Sequence, residues 1–407
     1  MRKQLLAISI WAGLTAAAIA IPYIPPPQPV YDAPIDRALA NVEAMDLEEA
    51  QRHILLGRLN LLAYARDDAN FTYVRDGDHL NLGGSVLCSQ APRMRPPEPD
   101  EPEYGPEDRC AQFDFNLAPP AETPEAVPHE RSDAARLRLQ RARQHYIQAV
   151  RLAPNNLRAR LGLAYAYDRM NQRNFARREL RALIDRGLPR LKNEHADWDD
   201  HVVLTEAAEH MTHLAQTNSE KRRFERLRAR LQASRPMIMV TPIVIPLRDA
   251  AFDTLIAPNA PVAFDFSGTG DTRAQGWLTA DAAWLVWDPH GRGEIRSGFD
   301  LIGQRSWAVF WRDGFEALRA LDDDRDGVLS GAELGGLALW RDANGDGVSD
   351  PGEVLPVSAY GIVGLAVRGE ETRRDLMTAP DGVRFEDGST RPLYDWIPGL
   401  TPRGPVS

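Results

Sequence analysis

Cysteine is almost absent, because the 407 residues contain only Cys88 and Cys110. Two thiols exclude a disulfide-rich scaffold and a zinc site made of four thiolates. Both cysteines lie in one long insertion rich in proline and acid, and no histidine neighbours either of them. In an exported chain such a pair favours a disulfide that staples the insertion, rather than a metal site.

Short catalytic signatures are also missing from the sequence. It contains no H-E-x-x-H zinc motif, no G-x-S-x-G elbow, no phosphate-binding P-loop and no dinucleotide fingerprint. Glu209 and the histidine after it lack the upstream histidine of the inverted zinc motif, so the local histidines predict no catalytic zinc. These histidines are His195, His201, His210 and His213. We therefore expect a protein that is not an enzyme.

Charge divides the chain into three blocks, although the formal net charge is only −10. Residues 1–130 have a net charge of −10, residues 131–235 of +11 and residues 236–407 of −11. The basic middle block indicates segmentation and is compatible with internal docking. Arginines crowd the stretch from Lys221 to Arg230, which we interpret as a solvated helix face. Nucleic acid is not an expected partner of this basic block, because the amino terminus predicts that the chain is exported.

The amino terminus has the charge and hydropathy order of an export signal. Two basic residues precede an apolar run from Leu5 to Ile21, near whose end small residues are placed as at a signal-peptidase site. Residues 1–21 are therefore predicted to be a signal peptide or an N-terminal membrane anchor, with cleavage slightly favoured. Residues 22–34 form a proline-rich spacer. The expected location is the periplasm or the cell envelope.

Helical periodicity governs residues 35–235, with an insertion at 69–132. Residues 35–68 predict two helices that are split near Asp46. Small and large residues later recur 34 residues apart, which is the period of a tetratricopeptide repeat. This half resembles a short tetratricopeptide array, and an ordinary helical bundle remains the alternative. The helical domain is expected to bind a protein or another partner in the envelope.

The pattern becomes strand-like in the second domain, residues 236–407. Pro242 and Pro246 interrupt the first apolar run, which predicts an edge strand or an extended linker. Residues 361–367 predict a buried strand, and residues 383–388 predict part of a hairpin with its turn. The expected fold class is multidomain α+β, with a helical repeat-like domain before a small EF-hand-like domain that contains short strands.

Two acidic loops follow each other in this domain, from Asp322 to Glu333 and from Asp342 to Glu353. Each loop has oxygen-bearing side chains at positions 1, 3, 5, 9 and 12 and glycine at position 6. Calcium prefers hard oxygens, which an EF-hand loop supplies from these positions and from the carbonyl at position 7. The predicted ligands are Asp322, Asp324, Asp326, Val328, Ser330 and Glu333, then Asp342, Asn344, Asp346, Val348, Asp350 and Glu353. Calcium is therefore the expected metal.

Two weaker copies precede the intact loops. One begins at Asp265 and has hydroxyls where carboxylates belong; the other begins at Asp288 and has Arg292 where a cation repels calcium. We interpret both as degenerate structural copies. The segment from Leu334 to Arg341 predicts one short helix that leaves the first intact loop and enters the second. Six tryptophans alternate with the loops and predict a small core: Trp277, Trp284, Trp287, Trp307, Trp311 and Trp340.

The order of these motifs resembles a family of exported bacterial EF-hand-type calcium-binding proteins over residues 236–400. Similar tandem loops occur in some RTX-like secreted proteins. The resemblance rests on Phe264 to Gly270, Gly276 to Leu278, Trp284 to Asp288, Gly314 to Leu318 and the two intact loops. It implies calcium binding and gives no established chemistry.

These patterns predict an exported calcium-binding protein in which the loops order a C-terminal module and the helical domain mediates protein interaction. Two alternatives remain open. The chain could be an envelope hydrolase that uses an aspartate and glutamate pair in a cleft between domains. It could also be a scaffold whose helical groove binds a partner peptide.

Overall fold

A computed structural model describes residues 33–69, 75–76, 79–80, 132–192, 198–234, 238–257, 260–268 and 270–400. The predicted signal or anchor, nearly all of the spacer and both cysteines of the predicted disulfide lie outside these residues. Within them, no helix has the length and apolar content needed to cross a membrane. The described chain is mixed α+β, with a helical N-terminal region and a curled C-terminal antiparallel sheet, which confirms the predicted class.

In the described residues, seven helices precede the main sheet. They are α1 (Ile35–Ala44), α2 (Glu49–Ala69), α3 (Asp133–Leu152), α4 (Leu157–Arg169), α5 (Arg173–Gly187), α6 (Trp198–His213) and α7 (Asn218–Ala233). The break between α1 and α2 confirms the split predicted near Asp46. Ser132, Asn156 and Thr217 cap α3, α4 and α7, each by accepting a backbone N–H at 3.0–3.1 Å. Short connections make α3 to α7 pack in sequence order.

Small residues let α2, α3 and α4 approach closely around one aromatic ring. Tyr146 of α3 is fully buried between Gly57 of α2 and Gly162 of α4. A Cβ atom added to Gly57 would lie 2.9 Å from the Tyr146 ring, and one added to Gly162 would lie 2.2 Å from it. The two glycines therefore set the spacing of these helices. The tetratricopeptide identity of the array stays a prediction.

The strands of the described residues are β1 (Arg75–Asp76), β2 (His79–Leu80), β3 (Ile243–Pro246), β4 (Val262–Ala263), β5 (Ala274–Gln275), β6 (Ala282–Trp287), β7 (Val328–Ser330), β8 (Leu337–Trp340), β9 (Val354–Pro356), β10 (Ile362–Ala366), β11 (Glu370–Arg373), β12 (Leu376–Phe385) and β13 (Thr390–Trp396). The C-terminal sheet is antiparallel throughout, in the order β7-β10-β12-β13-β3-β6-β8-β9, and β11 pairs with β12. Two small two-stranded sheets, β1-β2 and β4-β5, lie outside it. Strand β10 and the β12-β13 hairpin confirm the strand and the turn predicted there.

The prediction that the first strand of this half lies at an edge is wrong. Strand β3 is central, since Val244 pairs with Tyr394 of β13 on one side and with Trp284 of β6 on the other. Pro242 lies before β3 and Pro246 is its last residue. Because the prolines lie at the ends of the strand, its interior keeps the N–H donors that a central strand needs.

The first two helices share one hydrophobic core with the sheet. Leu39 of α1 and Leu55 of α2 are buried in the same cluster as Ile243 of β3. Helix α2 also faces the other way, because Leu61 and Tyr64 belong to the cluster formed mainly by α3 to α7. Helix α2 therefore joins the helical half and the sheet half at their cores.

A buried ion cluster forms a second joint between the halves. The guanidinium carbons of Arg58, Arg158 and Arg305 lie 4.8, 5.4 and 4.5 Å from the centre of the Phe310 ring. Asp199 of α6 pairs with Arg158, and its Oδ1 lies 3.8 Å from a guanidinium nitrogen of Arg305. Burial, with the charges of the two other arginines, lowers the pKa of Arg305 to about 9. Asp199 thus compensates positive charge that is buried at this joint.

We expect Asp199→Ala to lower the free energy of unfolding by about 3 kcal/mol, because it removes the carboxylate paired with Arg158 and leaves Glu206 and Asp265 to offset the buried charge of Arg305. Urea unfolding followed by far-UV circular dichroism measures the change. Asp133→Ala is the control, since Asp133 pairs with Arg136 at the exposed surface, where ion pairs contribute little. Equal losses in the two variants would contradict a stabilising role for the joint.

Two histidines meet where α2 packs against α3. The Nδ1 atoms of His53 and His145 are 3.0 Å apart. Burial lowers the pKa of both rings, that of His145 to about 4. The unfolded chain then takes up protons before the folded one as pH falls. Proton uptake by these buried rings therefore does not destabilise the fold above about pH 6.5. The free energy of unfolding decreases as pH falls from there toward about 4.

In the parent chain we expect the urea concentration at the unfolding midpoint to decrease as pH is lowered from 6.5 to about 4. His145→Gln should make this decrease smaller. Glutamine does not titrate in this range, so the variant removes the proton uptake that drives the loss. His213→Gln, at an exposed position of α6, is the control and should keep the parent slope. A parent slope in the His145 variant would show that other groups cause the pH dependence.

Candidate metal centre

Loop 1, residues 322–333, lies between a short helix and one edge of the sheet. Helix α8 (Gly314–Arg319), which Asp313 caps, ends just before the loop. Positions 7 to 9 of the loop form β7, which pairs with β10. A capping box at Ser330 and Glu333 starts the 3₁₀ turn that ends the loop. The sheet and the capping box therefore hold the second half of loop 1 in place.

Backbone N–H groups fix the carboxylates of loop 1. Gly327 donates to Asp322 Oδ2 at 3.2 Å and has a φ of +91°, which glycine adopts without strain. Glu333 reaches back across the loop, where its Oε1 accepts the amide of Asp323 at 2.6 Å and its Oε2 accepts that of Ser330 at 3.0 Å. The distal glutamate thus closes the loop on itself.

Three acidic side chains converge in loop 1. One carboxylate oxygen each from Asp322, Asp324 and Glu333 lies within 4.8 Å of the others. Asp322 and Glu333 are only 6% and 8% exposed. The Oδ1 atom of Asp322 is buried without a hydrogen-bond partner. Burial raises the pKa of Asp322, as do the charges of Glu333 and Asp326, although the backbone N–H groups of Gly327 and Arg325 act in the opposite direction. A cation among these oxygens would remove the repulsion and satisfy the buried oxygen.

Loop 2, residues 342–353, repeats the turn of loop 1. Gly347 donates to Asp342 Oδ2 at 2.8 Å, and Glu353 Oε1 accepts the amide of Ala343 at 2.8 Å. These bonds join the same loop positions as in loop 1, positions 6 to 1 and 2 to 12. The two loops are therefore copies of one backbone design, as their sequences predict.

The side chains of loop 2 bond to one another more than those of loop 1. Trp277 Nε1 donates to Asp342 Oδ2 at 2.7 Å. Asn344 donates to Asp346 Oδ2 at 2.9 Å and to Asp350 Oδ2 at 3.1 Å. In the part of the chain that the structure describes, a trio of acidic oxygens within 4.8 Å forms at loop 1 alone. Three side-chain oxygens of the predicted loop 2 ligands, one each from Asp342, Asp346 and Asp350, therefore already accept hydrogen bonds.

The short helix predicted between the two loops is wrong. A 3₁₀ turn at Gly331–Leu334 leads instead into strand β8, which pairs with β6. Gly335 is extended and Gly336 has a φ of +90°, so the two glycines end the turn. The apolar residues that follow are all buried in the sheet.

The two weaker copies keep the turn without the full ligand set. Asp265 and Asp288 accept the amide of the glycine five residues later at 2.7 and 2.9 Å. The second copy also supports loop 2, because the amide of Ile295 donates to Ser349 Oγ at 2.9 Å. Their interpretation as structural copies rests on this shared turn, and their lack of metal stays a prediction.

Sequence reasoning missed the contacts that reach loop 1 from the start of the chain. Arg37 and Asn41 of α1 each donate to Asp323 Oδ1 at 2.8 Å. Burial raises the pKa of Asp323, but these two bonds outweigh it and hold that pKa below its ordinary value. The paired residues are 286 and 282 positions apart, so no local spacing could indicate them.

The sheet that carries both loops matches a known domain family. Residues 243–397 match the SPM domain family. Over 167 residues the chain is 30% identical to the iron-regulated protein FrpA of Neisseria meningitidis serogroup C. This similarity covers 38% of the chain and 15% of FrpA, so the chain spans only a small part of that relative's length. Helices α1 to α7 lie outside the SPM match.

The tryptophans of the SPM-matching region are largely buried, as the sequence predicts, but they divide between two hydrophobic clusters instead of forming one small core. Five of the six predicted tryptophans are at most 2% exposed, and Trp287 is half-buried. Trp284 and Trp340 lie edge-on to Trp277, with ring centres 5.3 and 5.5 Å away. Because Trp277 also donates to Asp342, loop 2 is attached directly to this cluster.

We expect alanine at position 6 to destabilise loop 2 more than loop 1. A Cβ atom at Gly347 would meet Val262 Cγ1 at 2.5 Å and the Ala263 carbonyl oxygen at 3.1 Å, whereas one at Gly327 would meet no atom within 4 Å. Both positions have positive φ, so each substitution adds backbone strain of about 1–3 kcal/mol. Thermal unfolding of Gly327→Ala and Gly347→Ala measures the difference. Equal losses would show that β4 yields freely to a larger residue.

Proposed function

We propose that this chain is a calcium-binding protein whose acidic loops order its C-terminal half. The observation that carries the proposal is the convergence of Asp322, Asp324 and Glu333, together with the buried Asp322 Oδ1 atom, which forms no hydrogen bond of good geometry. A buried carboxylate oxygen without a partner is costly unless a cation or a proton satisfies it. Because two further carboxylates lie beside it, a cation fits this environment better than a proton.

The donor set of loop 1 favours calcium over softer metals. The loop offers carboxylate, hydroxyl and carbonyl oxygens and contains neither histidine nor cysteine. Such hard oxygens suit calcium, whereas zinc and copper sites use imidazole or thiolate. Asp326, Ser330 and the carbonyl of Val328 would complete the ligand set. The proposed chemistry is binding alone, with no catalytic step.

A second and weaker site is proposed in loop 2. Asp342, Asp346, Asp350, Glu353 and the Val348 carbonyl would supply oxygens there, with Asn344 as the sixth residue. Binding would require Asn344 to give up its bonds to Asp346 and Asp350 and to turn its amide oxygen toward the metal. The bond from Trp277 also occupies one oxygen of Asp342. Loop 1 should therefore fill before loop 2.

Calcium would act as a structural ligand of an exported protein. EF-hand sites in extracellular modules bind calcium at about 10⁻⁴ to 10⁻³ M. At a hundredfold excess over the dissociation constant, binding adds about 2.7 kcal/mol to the free energy of unfolding. We place the protein in the periplasm or envelope, directed there by residues 1–21, with the helical half as the surface for a protein or envelope partner.

We expect two binding events when calcium is titrated into the full chain by calorimetry, and a higher unfolding temperature in their wake. Glu333→Gln should remove the tighter event and Glu353→Gln the weaker one, because each loses the distal carboxylate of one loop. Terbium luminescence excited through tryptophan gives a second signal. It should report loop 2 most strongly, since Trp277 contacts Asp342.

Asp387→Asn is the matched control for charge, because Asp387 is an exposed acid in a hairpin turn away from both loops. This variant should bind calcium as the parent does. The absence of heat and of terbium luminescence at millimolar metal would overturn the proposed function. Loss of both events in either glutamine variant would mean that the loops are not independent sites.

A further inference from the structure

Helix α1 contacts both the beginning and the end of loop 1. Arg37 donates to the Leu321 carbonyl, directly before position 1, and to the Glu333 carbonyl at position 12, the latter at 3.5 Å. Asn41 donates to the Ala320 carbonyl at 3.0 Å. Together with the bonds to Asp323, one turn of helix thus contacts the entry, the second position and the exit of the loop.

The corresponding ends of loop 2 are joined by the backbone itself. The amide of Arg341, directly before position 1, donates to the Glu353 carbonyl at position 12 at 2.9 Å. This bond continues the pairing of β8 with β9, in which Trp340 faces Val354. Loop 1 has a different arrangement, because β7 pairs with β10. The guanidinium group of Arg37 therefore stands where loop 2 has a direct backbone bond.

The flanks of loop 1 are shorter than the two helices of a standard EF-hand, so contacts from elsewhere in the chain can add to what holds its ends. A standard EF-hand loop lies between two helices that fix its entry and its exit. Here α8 has 6 residues and the 3₁₀ turn at the exit has 4. Joining the ends in advance lowers the conformational entropy that the loop loses when it binds an ion. Contacts at Leu321 and Glu333 are the places where such help is effective.

The contacts from α1 do not engage the predicted ligand carboxylates of loop 1. Asp323 at position 2 adds a negative charge beside the acidic trio but is not one of the predicted ligands. Arg37 and Asn41 engage its side chain, and neither of them bonds a side-chain oxygen of Asp322, Asp324 or Glu333 among the contacts they make with the loop. Helix α1 therefore steadies the loop while its ligand oxygens stay available.

We infer that Arg37 and Asn41 are positioning residues for loop 1, so that docking of α1 and calcium binding strengthen each other. The inference rests on the proposed function. It goes beyond it by assigning part of the site to a helix outside the SPM-matching region. By linkage, calcium at loop 1 must stabilise α1 on the sheet as much as α1 favours calcium.

The test uses the full chain in a Glu353→Gln background, so that calorimetry reports loop 1 alone. We expect Arg37→Ala to weaken calcium binding about fivefold to tenfold, as lost charge-assisted hydrogen bonds predict, and Asn41→Ala to weaken it less. Arg37→Lys should restore part of the affinity, because its ammonium group can still donate a hydrogen bond to Asp323. In a Glu333→Gln background, Arg37→Ala should leave the affinity of loop 2 unchanged.

Arg138→Ala is the matched control. Arg138 of α3 pairs with Asp36 of the same helix α1 at 2.8 Å, at the surface and away from loop 1. It should leave calcium affinity at loop 1 unchanged. If this control and Arg37→Ala weakened binding equally, or if Arg37→Ala weakened both loops equally, the effect would come from general loosening and the inference would fall.

Hydrogen exchange on the unaltered chain gives a readout that needs no variant at Arg37. Calcium should slow exchange at the amides of residues 35–44, and Glu333→Gln should abolish this slowing while Glu353→Gln preserves it. Unchanged exchange in α1 when loop 1 is saturated would overturn the inference and leave the proposed function standing. Absence of calcium binding at loop 1 in the parent would overturn both.

Discussion

Every acidic loop in this chain depends on one turn, in which an aspartate accepts the N–H of a glycine five residues later. The turn occurs at Asp265, Asp288, Asp322 and Asp342. All four glycines have φ between +71° and +91°, a region that side chains with a Cβ atom rarely adopt. The turn needs only these two residues. It therefore persists in the weaker copies, whereas the proposed calcium sites use further carboxylates, which loops 1 and 2 retain.

The sheet can present these turns because distant segments of the chain complete its core. Leu39 of α1 and Leu55 of α2 are buried against the same face as Ile243 and Leu365. Helix α2 contributes its other side to the helical half, and the ion cluster around Phe310 joins the halves again. The loops thus lie on a scaffold to which the helical half and the sheet half both contribute. We therefore expect the stability of the proposed metal centre to be linked to that of the helical half.

Local features of the fold could be read from the sequence, and long-range ones could not. The split between α1 and α2, the buried strand β10 and the burial of the tryptophans each follow from a short pattern of apolar residues and turn residues. The edge position assigned to β3 was wrong because Pro242 and Pro246 lie at the ends of the strand, where their missing N–H groups cost little. The helix expected over residues 334–341 was wrong because Gly335 and Gly336 end the 3₁₀ turn and the chain continues as β8. The contacts of Arg37 with loop 1 depend on how the folded chain places α1, which no spacing in the sequence encodes.

The strands at the two loops favour a structural rather than a signalling role for the proposed calcium ions. Sensor EF-hands work by pivoting long helices around the ion, which exposes an apolar groove. Loop 1 instead contains β7, and loop 2 runs directly into β9, and both strands are hydrogen-bonded within one antiparallel sheet. A pivot at either loop would break strand pairing and uncover buried side chains such as Leu329 and Leu339. That cost favours a rigid centre in which the ion neutralises carboxylates that the sheet already holds together.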